Sequence, residues 1–165
     1  MLGLEFAAQR DNFFLQAEAF RFAAERKGAD AHLRDPRFSG WYVEGSWILT
    51  GERRRFDPSR AAFWFPKPIH PLGAGGWGAW ELAARFSTVN LNSHVVPGLG
   101  QAATGGVYGG QQTIYTLGLN WFPNDNVRFM LDFYFADINR LDSATGRTQI
   151  GQRFEAVAIR SQLAF

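Results

Sequence analysis

The sequence predicts an all-β protein, an antiparallel transmembrane β-barrel, and three observations predict it. The first is the closing stretch RFEAVAIRSQLAF, residues Arg153 to Phe165. Val157, Ile159, Leu163 and Phe165 fall on one side of a strand, with Ser161 among them, while Ala156, Ala158, Arg160 and Gln162 fall on the other. A strand of this length, apolar outward, polar or small inward and ending on an aromatic residue, has the character of the last strand of an outer-membrane barrel. The second is composition: 16% of residues are aromatic and 18 are glycine, yet no stretch approaches the length of apolar chain that a transmembrane helix needs. The third is that alternation recurs in seven segments, separated by short and long polar connections.

Composition bounds the alternatives. At 165 residues, 46% hydrophobic and 19% charged, the chain has the length of one ordinary domain and is neither disordered nor helical-membrane in type. The absence of Cys excludes a disulfide framework and a thiolate metal site, and is compatible with export from a bacterium. A net charge of +2 gives no support to nucleic acid as a partner. Met1 to Phe14 lacks the basic region and apolar core of an export leader. The expectation is that the protein is not exported or that an N-terminal part precedes this sequence.

The elements follow in order. Leu4, Phe6 and Ala8 alternate with Glu5, Ala7 and Gln9 in a first strand, closed by the polar turn Arg10-Asp11-Asn12. A second strand runs from about Phe13 to Ala24, with Leu15, Ala17 and Ala19 opposite Gln16 and Glu18. Phe22 breaks this phase, so a bulge or a barrel rim is expected beyond Phe20. Residues 25–37 are charged and contain Gly and Pro, which predicts a solvated loop. The third strand, Phe38 to Thr50, sets Trp41, Val43, Trp47 and Leu49 against Tyr42, Glu44, Ser46 and Thr50; Trp toward both ends suggests two aromatic belts.

Residues 51–76 do not alternate and carry Pro58, Pro66, Pro68 and Pro71, so they cannot form a central strand. The fourth strand, Trp77 to Leu91, places Trp80, Leu82, Ala84 and Phe86 against Glu81, Ala83, Arg85 and Ser87. Residues 92–112 are Gly-rich and read as a long loop. The fifth strand, Thr113 to Phe122, precedes a tight Pro123-Asn124-Asp125-Asn126 turn. The sixth, Val127 to Asn139, offers Phe129, Leu131, Phe133 and Phe135 on one face and Arg128, Asp132 and Tyr134 on the other. A loop over 140–152 leads to the closing strand. Trp41, Trp80, Leu117, Leu131 and Ile159 are thus expected to point outward, and Glu44, Glu81, Asn120, Asp132 and Arg160 inward.

With Phe165 at the periplasmic end, the loops near 25–37, 92–112 and 140–152 lie outside and the turns at 10–12 and 123–126 in the periplasm, the bacterial arrangement. The long connection 51–76 is the exception. Seven strands leave two open edges, and an unsatisfied backbone group in hydrocarbon costs several kcal/mol. Residues 1–165 are therefore expected to be the C-terminal portion of a single barrel domain.

The sequences GWYVEGSWILTGERRRFDPSRAAF, GGWGAWELAARFSTVNLN and YTLGLNWFPNDNVRFMLDF resemble the C-terminal half of the phosphate-selective porin O/P family. The resemblance covers almost the whole chain and includes the Arg/Pro-rich segment and the PNDN turn. It implies a homotrimeric, sixteen-stranded barrel of the bacterial outer membrane, in contact with its lipid, whose in-folded segments line an anion-selective pore with Arg and Lys. Inorganic phosphate or other small anions would be its cargo.

Arg53, Arg54, Arg55, Arg60 and Lys67 stand against only Glu52 and Asp57 between residues 51 and 71. In one reading the segment folds into the lumen and presents guanidinium forks to a passing anion. In the other the charges form a solvated periplasmic turn or pair with Glu44, Glu81 and Asp132. Phe56, Phe63, Trp64 and Phe65 need burial, which favours the lumenal reading. Arg85, Arg128 and Arg160, on strands, are further anion-path candidates or part of an ordinary charge-balanced wall. Gly73, Gly75 and Gly78 match a dinucleotide fingerprint without its strand and helix context. His32, His70 and His94 lie in three separate irregular stretches without ligand spacing, so no metal or cofactor is expected, and nothing points to an enzyme. An anion channel is the first reading, a structural or adhesive barrel the second, and a soluble β-sandwich carbohydrate binder the third.

Overall fold

The computed structural model describes residues 1–163; the aromatic end expected at Phe165 lies outside the described residues. Nine strands follow one another: β1 (Leu2–Arg10), β2 (Phe13–Ala23), β3 (Arg37–Ile48), β4 (Arg54–Asp57), β5 (Ala62–Pro66), β6 (Ala79–Ser93), β7 (Val107–Phe122), β8 (Val127–Asn139) and β9 (Arg153–Leu163). Seven form one sheet in the order β1-β2-β3-β6-β7-β8-β9, while β4 and β5 pair only with each other. Every neighbouring pair is antiparallel. The sheet is open, with β1 and β9 at its edges. No helix among the described residues is long and apolar enough to cross a membrane.

The register puts the two sets of side chains on opposite faces. Val43 opposes Phe86, Phe86 opposes Tyr115, Tyr115 opposes Phe135, and Leu117, Phe133 and Val157 make the next row. Trp41, Trp80, Leu131 and Ile159 share this face. Glu44 opposes Arg85, Glu81 opposes Asn120 and Met130 opposes Arg160, all on the other. Because side chains repeat every second residue, a slip of one would have exchanged the faces, so the pattern fixes the register. The apolar face is bare: Leu117 is 54% exposed, Val157 62% and Ile159 82%. So large an apolar surface suits hydrocarbon and is a liability in water, which removes the support for a soluble sandwich.

Two aromatic belts cross the apolar face. The lower holds Phe13 stacked on Trp47, and Trp80, Trp121 and Phe129 stacked in series at 5.5 Å. The upper holds Trp41 against Phe86 and Phe86 against Tyr115, each at 5.0 Å. Trp41 and Trp47, Trp80 and Phe86, and Tyr115 and Trp121 are each six residues apart. That is about 20 Å along a strand, the scale of the apolar band of a membrane barrel.

Above the upper belt the two faces exchange character. The formerly apolar face carries Arg21, Arg37, Ser39, Thr88, Asn90, Thr113 and Asp137, while the formerly polar face carries Phe20, Phe22, Phe38, Val89, Ile114 and Ile138. This accounts for the broken phase at Phe22. Of the bulge or rim expected there, the bulge is absent: β2 pairs with β3 in unbroken register through Ala23, and Phe20 lies over Gly40, where a Cβ would meet its ring at 2.5 Å. The strand continues, and its surroundings change.

Two other expectations are corrected. The long loop at 92–112 shrinks, because β6 extends to Ser93 and β7 begins at Val107, with a bulge between Asn90 and Asn92 and one helical turn, Gln101–Thr104, between them. The expected seven strands become nine among the described residues: 51–76 supply no central strand, as expected, but contain the β4–β5 hairpin. These strands are four and five residues long, too short to show alternation among prolines.

Candidate functional site

The β4–β5 hairpin springs from the end of the sheet that carries the short turns and lies across its polar face. Its base is closed by Glu52, which is buried: one carboxylate oxygen accepts the Thr50 hydroxyl and the other accepts the Ile69 N–H at 3.1 Å. The Thr50 hydroxyl oxygen also accepts the Trp80 N–H at 3.1 Å, so both ends of the insertion are tied to the start of β6. The return path through residues 67–78 is fixed on the PNDN turn. Leu72 N–H donates to the Pro123 carbonyl at 2.7 Å, the Trp121 indole donates to the Trp77 carbonyl at 2.7 Å, and Lys67 pairs with Asp125 at 3.3 Å. Gly78 has φ +75, and a Cβ there would stand 2.3 Å from the Phe122 carbonyl oxygen, so only glycine fits this crossing.

The register of the hairpin separates two faces. Phe56 pairs with Phe63, and Arg55 with Trp64. Phe63 meets Phe14 of β2 edge-on at 5.0 Å, and Phe65 meets Phe122 at 6.0 Å. Between them Arg54 reaches Glu81, with Nε at 3.0 Å and the terminal nitrogen at 2.8 Å, while its guanidinium lies 4.4 Å from the Phe14 ring. Glu81 has no exposed surface. It also accepts the Ser46 hydroxyl at 2.8 Å and the Asn120 amide at 2.9 Å. Asn120 in turn accepts Arg128 at 3.1 Å, and Arg128 lies over the Phe65 ring at 4.7 Å. A buried carboxylate is stable only when paired and hydrogen-bonded on this scale.

The opposite face of the hairpin turns away from the sheet. There Arg55 and Trp64 stand with Asp57 and Arg60 around an open recess of about 450 Å³. Arg60 covers the Trp64 ring at 5.1 Å and pairs loosely with Asp57 at 3.6 Å. The Ser59 hydroxyl and N–H, and then Arg60, hold the Asp57 carboxyl below the usual carboxylate range. The one hydrogen bond of Arg55 among the described residues runs from Nε to the Phe65 carbonyl at 3.2 Å. Of the four aromatic residues expected to need burial, Phe63 and Phe65 are half-buried, whereas Phe56 and Trp64 remain exposed.

On the sheet beside the hairpin a second recess, of about 500 Å³, is lined by Arg54, Arg85, Arg128 and Arg160 together with Glu44 and Asp132. Arg85 pairs with Glu44 at 3.4 Å and lies 3.7 Å from the Tyr42 ring. Arg128 has its Nε buried without a partner, and Arg160 makes no ion pair among the described residues. The eight cations singled out from the sequence therefore fall into two groups, with Arg54, which both ties the hairpin and lines the second recess, common to them. Arg53, paired with Asp11, Arg54 and Lys67 tie the insertion to the sheet and its turns. Arg55, Arg60, Arg85, Arg128 and Arg160 border the two recesses. Sequence reasoning missed Glu52 and Phe14 as supports. The adjacent pair Phe13-Phe14, apolar on both faces, was the available signal for a body packed on the polar side. His32, His70 and His94 form no cluster, and no group of three metal-ligating side chains occurs among the described residues.

A family model for phosphate-selective porin O and P matches residues 1–165. Among curated proteins the chain is 28% identical over 144 residues to Porin O of Pseudomonas aeruginosa, covering 87% of this chain and 31% of that protein. It is 33% identical over 135 residues to an uncharacterized protein of Caulobacter vibrioides, covering 82% of this chain and 24% of that protein. The chain thus spans about a quarter to a third of the length of these relatives. The open antiparallel sheet, the paired aromatic belts and a match along every residue lead to one assignment: the chain belongs to the phosphate-selective porin O and P family, β-barrel proteins of the bacterial outer membrane.

Proposed function

We propose that this sheet is part of the wall of a passive, anion-selective diffusion pore, that its polar face lines the lumen, and that residues 51–76 are an in-folded element narrowing it. The sheet closes with further strands into a barrel, sixteen-stranded and trimeric as the family resemblance implies. The observation that carries the reading is the hairpin laid across the polar face, with Arg55 and Arg60 on its far side and Arg85, Arg128 and Arg160 on the wall beside it. In water two unit charges at 4 Å interact by only about 1 kcal/mol, but near an effective dielectric of 20 by about 4 kcal/mol. A constriction with low-dielectric walls therefore makes these arginines matter, and it focuses their field on a passing anion. Several weak sites in file serve conduction better than one strong site, because the anion must also leave. Pro58, Pro66 and Pro68 stiffen the element, which docks on Glu81 through Arg54 while Arg55 and Arg60 stay on its far side.

Replacement of Arg55 and Arg60 by Ala in the full-length porin tests this in planar bilayers. The reversal potential in a KCl gradient should move toward cation selectivity, and phosphate should block chloride current roughly fivefold less well, as loss of about 1 kcal/mol of attraction requires. Wild-type selectivity together with wild-type block would reduce the far face of the hairpin to a structural surface.

A further inference from the structure

The exchange of polarity above the upper belt locates the membrane boundary on β2, β3, β6, β7 and β8, while β1 keeps Leu2 outward opposite Arg21; on β2 and β3 two arginines stand at that boundary. Arg21 of β2 lies one outward-facing position beyond Ala19, which opposes Trp41, and Arg37 of β3 lies two beyond Trp41 itself. At about 6.6 Å for each such step along a strand, the two stand about 7 and 13 Å past the belt, less in height once the strands tilt. The headgroup layer on each side of a bilayer is about 5 to 7 Å deep. With a strand tilt of about 40°, the Arg21 backbone stands within it and that of Arg37 about 3 Å above it, a height its long side chain can span. Arg21 opposes Ser39, and Arg37 opposes Ala23, so the two are diagonal neighbours at about 7 to 8 Å, close enough for both guanidinium groups to reach one phosphate.

Neither pairs with a carboxylate among the described residues, and both are exposed. The contrast is with Arg153, also outward at this level, which Asp137 neutralises at 2.7 Å. Asp35, the nearest acid in sequence to Arg37, already accepts the Arg26 N–H at 2.9 Å. The backbone of Arg37 is pinned by its N–H donating to the Ser93 hydroxyl at 3.0 Å, and the stacked rings of Phe22 and Phe38 stiffen the strand ends from behind. In the connection between β2 and β3, Arg26, Lys27 and Arg34 are balanced by Glu25, Asp30 and Asp35, so the positive charge at this boundary is that of Arg21 and Arg37 themselves.

We propose that Arg21 and Arg37 form a lipid-binding site that clamps the phosphate of a phosphorylated glycolipid headgroup in the outer leaflet. It rests on the outward placement of the long loops adopted above. An arginine fork matches a phosphate monoester bidentately, and the apolar Ala17, Ala19 and Val43 beneath it receive the acyl chains. The site faces lipid, on the opposite side of the wall from the anion path.

The test uses the full-length porin in detergent and measures binding of diphosphoryl lipid A and of its dephosphorylated form by native mass spectrometry. Wild type should prefer the phosphorylated lipid. Arg21→Gln with Arg37→Gln should weaken its binding about thirty-fold, on the scale of two arginines at a charged membrane surface. Conductance and phosphate block should stay at wild-type values, which shows that the variant is folded and separates failure of this site from failure of the pore reading. Equal binding of the two lipids by wild type, or undiminished binding by the variant, would overturn the proposal.

Discussion

The β4–β5 hairpin and the long loops at the opposite end of the sheet are held by different forces. The loops converge on main-chain carbonyls: Gly98 N–H donates to Gly146 at 2.9 Å, Gln101 N–H to Ser143 at 2.8 Å and the Tyr108 hydroxyl to Leu99 at 2.7 Å, and their arginines do the same, Arg26 to Gly105 at 2.6 Å and Arg140 to Tyr108 at 3.0 Å. The hairpin is held by charged side chains and ring faces, with Arg54 on Glu81 at the centre. The difference teaches how to count cations in such a pore. The richest basic segment of the chain uses Arg53, Arg54 and Lys67 to hold its own position, which leaves Arg55 and Arg60 free of that task and, in the proposed pore, available to an anion.

The largest effect should come from the centre of that network. Glu81→Ala leaves Arg54, Asn120 and Ser46 without their shared acceptor, and breaking a buried pair of this kind costs about 3 kcal/mol or more. Amide exchange in β4 and β5 should accelerate while the 94–106 and 140–152 loops stay protected. Glu81→Gln, which keeps the neutral contacts, should fall between. Equal acceleration at both ends would mean that the two regions are one cooperative unit.

Phe63→Ala should be milder. The ring is half-buried and meets Phe14 edge-on, so the loss is about 1.5 kcal/mol, less than for a fully buried aromatic residue. The same exchange experiment should show β5 loosened and the loops unchanged; no change at β5 would assign the docking to charge alone.

What the sequence disclosed follows the same division. Wherever one face of a strand meets lipid, alternation is enforced, and the faces of Trp41, Trp80, Leu117, Leu131 and Ile159 could be read directly. The start of β7 was hidden because Gly109 and Gly110 carry no side chain to alternate; a Cβ on Gly109 would meet Leu91 at 2.6 Å, so the close strand approach itself demands the glycine. The phase change at Phe22 was visible but left a bulge and a barrel rim both open, since a pattern inverts at a bulge and also where a regular strand leaves the membrane. Lumenal carboxylates were legible as a class. That Glu81 receives Arg54, and not its neighbour Arg53 or Arg55, depends on the bulge between Arg54 and Arg55, which residue type does not announce.

The smallest effect lies in the loops, where one carboxylate gathers several donors. Asp142 accepts the N–H groups of Thr145, Arg147 and Thr148 and the Thr145 hydroxyl, and these bonds, those from Thr145 N–H and Thr148 N–H foremost, push its carboxyl far below the usual range. A depressed folded-state value means that the ionised form favours the folded loop. Its contribution is therefore complete above the ordinary carboxylate pKa of about 4 and fades as pH falls below that value toward the folded one. Asp142→Ala should lower protection of the 142–148 amides at neutral pH and leave β4 and β5 untouched. After correction for intrinsic exchange, the advantage of wild type over the variant should stay constant from pH 7 to about 5 and shrink below about 4. An advantage that grew on acidification would reverse the sign of the linkage and place the loop's stability in its main-chain bonds alone.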